Sequence, residues 1–217
     1  MEKCYNDQNI NIEPKNKDDL LKSLQLVAFE DVKVVIVGNR PLQKSNGLAF
    51  GSYGKTTEFN EIKREIKNEY DTEKEETSDE FTKRLASQGV LLLDITPTCL
   101  LNGRINLHAE LWTCFMKELI KFIYKRGYMV WLIWSQSGLK LINSVTGADK
   151  DNEGNKKTDN DKRNVPTNIL LKCSYPNANK NKKSDPTAIY TKKFNGCNHF
   201  ILCNNYLKQM FMEPIDW

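Results

Sequence analysis

The segment from Asp31 to Gln43 constrains the fold most, because a run of β-branched residues leads directly into a tight turn. Its sequence is Asp-Val-Lys-Val-Val-Ile-Val-Gly-Asn-Arg-Pro-Leu-Gln. Val32–Val37 predicts a strand buried on both faces, which is typical of parallel sheets covered by helices. The turn that follows contains Arg40 but no acid, histidine, serine or cysteine. In α/β proteins the catalytic residues usually lie in such turns. This turn therefore has the position of a catalytic group but no residue that could act as one.

Three further apolar runs predict strands, and amphipathic patterns between them predict helices. The strand segments are Gln88–Ile95, Tyr128–Trp134 and Asn168–Cys173. Apolar spacing predicts helices over about 18–24, 57–70, 81–86, 107–125 and 196–211. The apolar face of the 107–125 helix is predicted to consist of Leu111, Phe115, Leu119 and Phe122. The alternation predicts an α/β fold of three α/β/α layers, with a central four-stranded parallel sheet and right-handed crossovers.

The length of 217 residues suits one α/β domain with a substantial core. Residues 1–17 predict a polar N-terminal extension, and residues 18–217 predict the domain. Within the domain, residues 147–164 contain no apolar side chain beyond Ala148, which predicts a disordered insertion. A second polar loop over 177–184 is rich in lysine and asparagine.

Charge and cysteine usage limit the classes of function. The formal net charge is +4, from 32 basic and 28 acidic side chains, which permits binding to a polyanion without demanding it. The absence of a CxxC pair argues against zinc, so we expect no metal and no cofactor. We expect no membrane span and an intracellular location, either nucleus or cytoplasm, because no apolar leader or long apolar run is present. The six cysteines are Cys4, Cys99, Cys114, Cys173, Cys197 and Cys203.

Five short segments together point to a known family. They are Asp31–Gly38, Gly47–Phe50, Gln88–Leu93, Gly196–Phe200 and the closing Pro214–Trp217. In this order, and over about residues 18–217, the chain resembles family-1 uracil-DNA glycosylases. The resemblance implies a uracil-DNA glycosylase-like fold and DNA as partner. It also implies hydrolysis of the N-glycosidic bond of a base that has been flipped out of the helix.

The resemblance places substituted residues at the two catalytic positions of that family. Arg40 falls on the catalytic aspartate, which orients water and favours the cationic sugar. Tyr175 falls on the histidine that stabilises the departing base. Arginine stays protonated and cannot act as a base, and its charge repels a developing sugar cation. We therefore expect excision of uracil to be lost or severely impaired.

The base pocket implied by the resemblance consists of Asn39, Leu42, Phe50 and Asp94. Leu42 replaces the tyrosine that excludes the thymine methyl group, and Asp94 replaces the asparagine that binds the uracil edge. A carboxylate there accepts hydrogen bonds from an amino group and opposes uracil O4. Phe50 keeps the stacking aromatic, although core packing explains an aromatic residue at this position equally well.

The resemblance also assigns the DNA contacts. Thr57 and Glu58 fall on a phosphate-binding Pro-Pro-Ser segment, and Ser135 and Gln136 fall on a Gly-Ser loop. Asn179 falls on the leucine that wedges into the duplex, and Lys180, Lys182 and Lys183 follow it. The full set of predicted DNA-binding residues is Thr57, Glu58, Ser135, Gln136, Asn177, Asn179 and Lys180. The loop that carries Lys180, Lys182 and Lys183 is either a solvated loop without a partner or a segment that binds DNA phosphates.

Three functional hypotheses remain open from the sequence. The first is a catalytically impaired or inactive protein that acts by binding DNA or a protein partner. The second is an active glycosylase that excises uracil or a modified pyrimidine, and the third is an interaction module without DNA affinity. The sequence leaves three interpretations of Arg40. It forms a salt bridge with Asp94, it contacts a DNA phosphate, or it is a neutral substitution in a site that has lost its activity. Structural roles are favoured for His108 and His199.

Overall fold

The computed structural model describes residues 11–72, 74–101, 105–147, 168–177 and 193–217. The predicted insertion beyond Gly147 lies outside the described residues. So do Asn179, Lys180, Lys182 and Lys183, the lysine-rich segment predicted to contact DNA. The predicted boundary of the domain at residue 18 stays a prediction.

Four parallel strands form the central sheet in the described part of the chain, which confirms the predicted α/β architecture. Its strands lie side by side in the order Val90–Asp94, Val34–Gly38, Val130–Ile133 and Ile169–Lys172. Ile12–Glu13 pairs with Cys99–Leu100 in a separate antiparallel ribbon. Residue pairs Gly38–Asp94 and Ile133–Lys172 bring the carboxyl ends of the four strands to one edge. The strands are β1 Ile12–Glu13, β2 Val34–Gly38, β3 Val90–Asp94, β4 Cys99–Leu100, β5 Val130–Ile133 and β6 Ile169–Lys172.

Helices flank the sheet on both sides and complete the three layers. The helix predicted over 57–70 has those bounds, whereas the helix Gln136–Thr146 was not predicted. Ser135 caps its first turn by accepting a hydrogen bond from the Gly138 N–H at 3.1 Å. No helix in the described ranges combines the length and apolar character needed to span a membrane. The α-helices are α1 Lys22–Leu26, α2 Thr57–Tyr70, α3 Ser78–Ser87, α4 Ile105–Arg126, α5 Gln136–Thr146 and α6 His199–Gln209.

The prediction of which face of α4 packs against the core is wrong. Its stripe of Leu111, Phe115 and Phe122 is exposed, with Leu111 at 65%, and Leu119 is half-buried. The neighbouring stripe faces the core instead, because α4 carries apolar residues on adjacent sides and one side alone can cover the sheet. The Trp112 indole N–H anchors this orientation by donating a 2.8 Å hydrogen bond to the Thr98 Oγ1. The buried stripe consists of Trp112, Met116, Ile120 and Ile123.

The short β1–β4 ribbon fixes the loop that follows β2. Glu13 is fully buried in this ribbon. Its carboxylate accepts hydrogen bonds from the backbone N–H groups of Lys44 at 2.9 Å and Ser45 at 3.1 Å. A buried carboxylate is stable when charge-assisted hydrogen bonds replace its hydration. The ribbon therefore holds the loop around Arg40 in place from its far side.

Candidate functional site

The candidate site begins where β2 and β3 end side by side. The Asp94 carboxylate lies directly over Gly38, since a Cβ atom at Gly38 would be 2.2 Å from the Asp94 Oδ1. A side chain at position 38 would therefore force the Asp94 carboxylate to move. The Ile95 N–H donates to the Gly38 carbonyl at 3.4 Å, and the Thr96 N–H donates to the Asn39 carbonyl at 3.2 Å. These bonds join the loop after β2, which carries Arg40, to the loop after β3.

A cavity of about 280 Å³ opens beyond these strand ends. It brings together five of the residues that the resemblance assigned, from the turn after β2, the start of α2 and the segment after β6. Asp94, which the resemblance placed in the base pocket, is not among the lining residues. Leu101 was missed because it reaches the site through the β1–β4 ribbon, where its N–H donates to the Asn11 carbonyl at 2.9 Å. Pairing between segments so far apart leaves no local sequence signal. The lining residues are Asn39, Arg40, Pro41, Leu42, Gln43, Glu58, Leu101 and Tyr175.

The charged groups of the site influence each other without direct pairing. No ion pair within 4.0 Å joins Arg40 to Asp94 among the described residues, so a salt bridge between them, one of the three interpretations of Arg40, is not observed. Desolvation raises the pKa of Asp94 to about 7, while the positive charge of Arg40 opposes the rise. Desolvation also raises the pKa of Tyr175 above its usual range, and Glu58 and Asp94 add to this effect. Near pH 7, Asp94 is thus divided between its two protonation states.

Phe50 lies behind the cavity and does not line it. Its side chain is 3% exposed, and its ring centroid is 5.2 Å from that of Trp134 and 5.6 Å from that of Tyr175. The Ser78 hydroxyl donates to the Phe50 carbonyl at 2.9 Å, which fixes the backbone at this point. Core packing therefore accounts for Phe50 in this conformation, and the ring supports Tyr175 from behind.

Two of the predicted DNA-binding residues meet at the rim of the cavity. The Asn177 side-chain amide donates to the Thr57 Oγ1 at 2.9 Å, and both residues are exposed. The Thr57 hydroxyl in turn lies 3.1 Å from the Glu58 Oε2. These contacts join the segment after β6 to the first turn of α2. By contrast, Ser135 is buried as the cap of α5, and Gln136 next to it is half-buried.

Both histidines are buried and hydrogen-bonded. The His108 Nδ1 lies 2.7 Å from the Thr98 Oγ1, and burial lowers the pKa of His108. The His199 Nδ1 accepts a hydrogen bond from the Trp134 indole N–H at 3.1 Å. Neither histidine lines the cavity. These contacts agree with structural roles for both side chains.

A parallel sheet with a cavity beyond the carboxyl ends of its strands defines the class of α/β proteins that bind ligands at this edge. No profile of a protein family matches the chain. Over 223 residues it is 31% identical to the uracil-DNA glycosylase of Escherichia coli O81, covering 96% of this chain and 81% of that protein. The chain belongs to the family-1 uracil-DNA glycosylases, as the sequence resemblance predicted.

Two other comparisons describe the extent of the similarity. The chain is 28% identical over 212 residues to the uracil-DNA glycosylase of Saccharomyces cerevisiae, covering 92% of this chain. It spans 54% of that protein's length. The crystal structure of mimivirus uracil-DNA glycosylase superimposes with a TM-score of 0.72 at 18% identity, covering 96% of this chain and 75% of the other. This last similarity concerns the fold alone.

Proposed function

We propose that this chain is a DNA-binding member of the uracil-DNA glycosylase family in which uracil excision is lost or severely impaired. The observation that carries the proposal is Arg40, whose side chain lines the cavity at the end of β2. DNA is the proposed partner because the relatives are named for an activity on DNA. A protein partner stays a prediction from the sequence.

An arginine at this place opposes cleavage of a glycosidic bond. Departure of a base leaves an oxocarbenium-like positive charge on the sugar. Two like charges roughly 4 Å apart repel each other by about 4 kcal/mol at an effective dielectric constant of 20. Since 1.36 kcal/mol corresponds to a tenfold change in rate, this repulsion slows cleavage by about three orders of magnitude. Arg40 also cannot take a proton from an attacking water, because a guanidinium group is not deprotonated in proteins.

The two other substituted positions add to the loss. Ionised Asp94 only accepts hydrogen bonds, so it repels the O4 acceptor of uracil. Tyr175 is neutral near pH 7, and its raised pKa keeps it neutral at higher pH as well. A phenol donates a single hydrogen bond to a departing anion. Removal of one well-placed donor to a developing anion typically costs about 10²–10³ in rate.

The rim of the cavity is the proposed DNA-binding surface. It includes the exposed Thr57 and Asn177, which the 2.9 Å hydrogen bond holds together. Lys180, Lys182 and Lys183 follow Asn177 closely in the sequence. Lysines that neutralise phosphates release counterions, which gives binding that is independent of sequence and sensitive to salt.

Replacing Lys180, Lys182 and Lys183 by alanine is expected to weaken binding to single-stranded DNA. The slope of log K against log salt concentration should fall by about 2 if all three lysines contact phosphates, at about 0.7 for each contact. Fluorescence anisotropy of a labelled oligonucleotide over a range of salt concentrations measures both quantities.

The matched control replaces Lys117, Lys121 and Lys125 by alanine. These lysines are exposed on the C-terminal half of α4, which runs toward the amino ends of the strands. Their replacement removes three positive charges, as in the first triple variant. Equal slopes for the two triple variants would contradict the proposed surface. A native chain without DNA affinity would favour the interaction module instead.

A second candidate function is excision of a different pyrimidine, and the pKa of Asp94 favours it. With a pKa of about 7, part of the Asp94 population carries a proton in neutral solution. A protonated carboxyl group has one donor and one acceptor, like the asparagine amide that it replaces. Leu42 at the tyrosine position leaves room for a 5-substituent. Base release from DNA with modified pyrimidines, measured at pH 6 and pH 8 with Asp94→Ala as control, distinguishes the two candidates. Release that depends on Asp94 and decreases at pH 8 would support this second function.

A further inference from the structure

Three buried side chains of types that commonly bind metal ions lie close together in the described part of the chain. Cys173 directly follows β6, Cys197 precedes α6, and His199 is the first residue of α6. All three are buried, with exposures of 0%, 1% and 2%. One donor atom from each lies within 4.8 Å of the other two, and the Cys173 Sγ is 3.8 Å from the His199 Nδ1.

We propose that Cys173, Cys197 and His199 form a binding site for a zinc-type divalent metal ion. Tetrahedral zinc sites have Zn–S distances of about 2.3 Å and Zn–N distances of about 2.0–2.1 Å, which places neighbouring donor atoms about 3.5–3.8 Å apart. The observed 3.8 Å separation between the Cys173 Sγ and the His199 Nδ1 is about 0.2 Å longer than the roughly 3.6 Å that these bond lengths give for a sulfur and a nitrogen ligand. Two thiolates and one neutral imidazole also cancel the charge of a divalent ion, as burial requires.

Glu69 lies beside the cluster, near Cys197 but outside the group of Cys173, Cys197 and His199. One carboxylate oxygen of Glu69 lies within 4.8 Å of the Cys197 Sγ. The Glu69 Oε2 accepts a 2.7 Å hydrogen bond from the Ile201 N–H. The Glu69 Oε1 is buried and has no hydrogen-bond partner among the described residues. A buried polar atom without a partner is unusual, and a cation held beside Cys197 would favour the charged form of this carboxylate.

Metal binding through the His199 Nδ1 would replace the existing hydrogen bond from the Trp134 indole. That N–H lies 3.1 Å from the same nitrogen, so one lone pair cannot serve both. The net loss of one hydrogen bond is smaller than the binding free energy typical of structural zinc. The environment of the Trp134 indole should therefore change when metal binds, which gives a fluorescence signal.

The ion would attach the segment after β6 to the start of α6. Tyr175 lies two residues beyond Cys173 and lines the cavity, so the site would hold one wall of the cavity in position. The sequence argued against zinc because no CxxC pair is present. Here the fold supplies the ligands from two separate segments, which local spacing cannot indicate.

The test measures metal directly in the whole chain. Native protein produced with added Zn²⁺ under reducing conditions and then dialysed is expected to retain about one zinc per chain by mass spectrometry. Titration of the metal-free chain with Co²⁺ should give the thiolate-to-cobalt absorption of a tetrahedral site and a change in tryptophan fluorescence. This measurement on the native chain does not depend on the folding of any variant.

Cys173→Ala is expected to lower the zinc content at least tenfold. Cys203→Ala is the matched control, because Cys203 is equally buried on α6 but lies outside the cluster, and this variant should keep its zinc. Equal zinc in both variants would show adventitious binding and overturn the proposal. A native chain that takes up neither ion, or that contains a Cys173–Cys197 disulfide instead, would also overturn it.

Discussion

Exchanging Arg40, Asp94 and Tyr175 together for aspartate, asparagine and histidine is expected to raise the rate of uracil release at least about 10³-fold. The change at Arg40 contributes most, because it replaces a repulsive charge beside the sugar cation by an attractive one. Asparagine supplies the donor that uracil O4 requires, and histidine supplies a stronger hydrogen bond to the departing base. Single-turnover release from single-stranded DNA containing uracil measures the gain.

A matched control separates this chemistry from a change in net charge. Arg64→Asp combined with Asp71→Asn alters the charge by the same amount on exposed positions of α2 and its C-terminal cap. Asparagine suits the left-handed backbone of Asp71, where φ is 52°. The control should release no more uracil than the native chain. A folded triple variant that is equally inactive would contradict the placement of these residues at the catalytic positions.

Asp94→Asn alone is expected to raise the free energy of unfolding at pH 8 by about 2–4 kcal/mol. The folded-state pKa of Asp94 is raised from 3.8 to about 7, so the folded chain binds its proton more tightly than the unfolded chain does. Each pH unit between these values costs about 1.4 kcal/mol of stability on ionisation. Partial exposure of the residue lowers the total. Asparagine removes this cost.

The pH dependence gives the sign of the effect. Well below the unfolded pKa of 3.8 both states are protonated and Asp94 contributes no penalty. As the pH rises to about 7 the unfolded chain loses the proton first, so the native chain loses stability across this window. The advantage of Asp94→Asn should therefore be small at pH 4 and almost complete by pH 8. Urea unfolding at several pH values checks this, with Asp71→Asn as an exposed control. An advantage that is independent of pH would contradict the raised pKa.

The four strands of the parallel sheet and most helices could be predicted from the sequence because their signals are local, whereas the short β1–β4 ribbon was not predicted. Val34–Val37 is uniformly apolar, and Phe59, Ile62 and Ile66 repeat at helical spacing on α2. Helix α5 was missed because Gly138 and several polar residues give it a weak helical signal. In the fold, Gly138 allows close packing, since a Cβ atom there would be 2.8 Å from the Val37 Cγ1.

The orientation of α4 and the details of the site depend on tertiary contacts. Leu111 and Trp112 belong to adjacent apolar stripes, and the contact of Trp112 with Thr98 decides which of them is buried. Strand order brought Arg40 and Tyr175 to one cavity, as the resemblance implied. The resemblance did not indicate the grouping of Cys173 with Cys197, because the two residues are joined only through the packing of β6 against α6.

Release of uracil by the native chain tests the central claim most directly. An excess of the chain is mixed with single-stranded DNA that contains one uracil, binding is checked by anisotropy, and free uracil is measured by mass spectrometry. The uracil-DNA glycosylase of Escherichia coli serves as positive control. We predict bound DNA with no free uracil above the protein-free sample over the time in which the control reaction is complete. Stoichiometric release of uracil by the native chain would contradict the account.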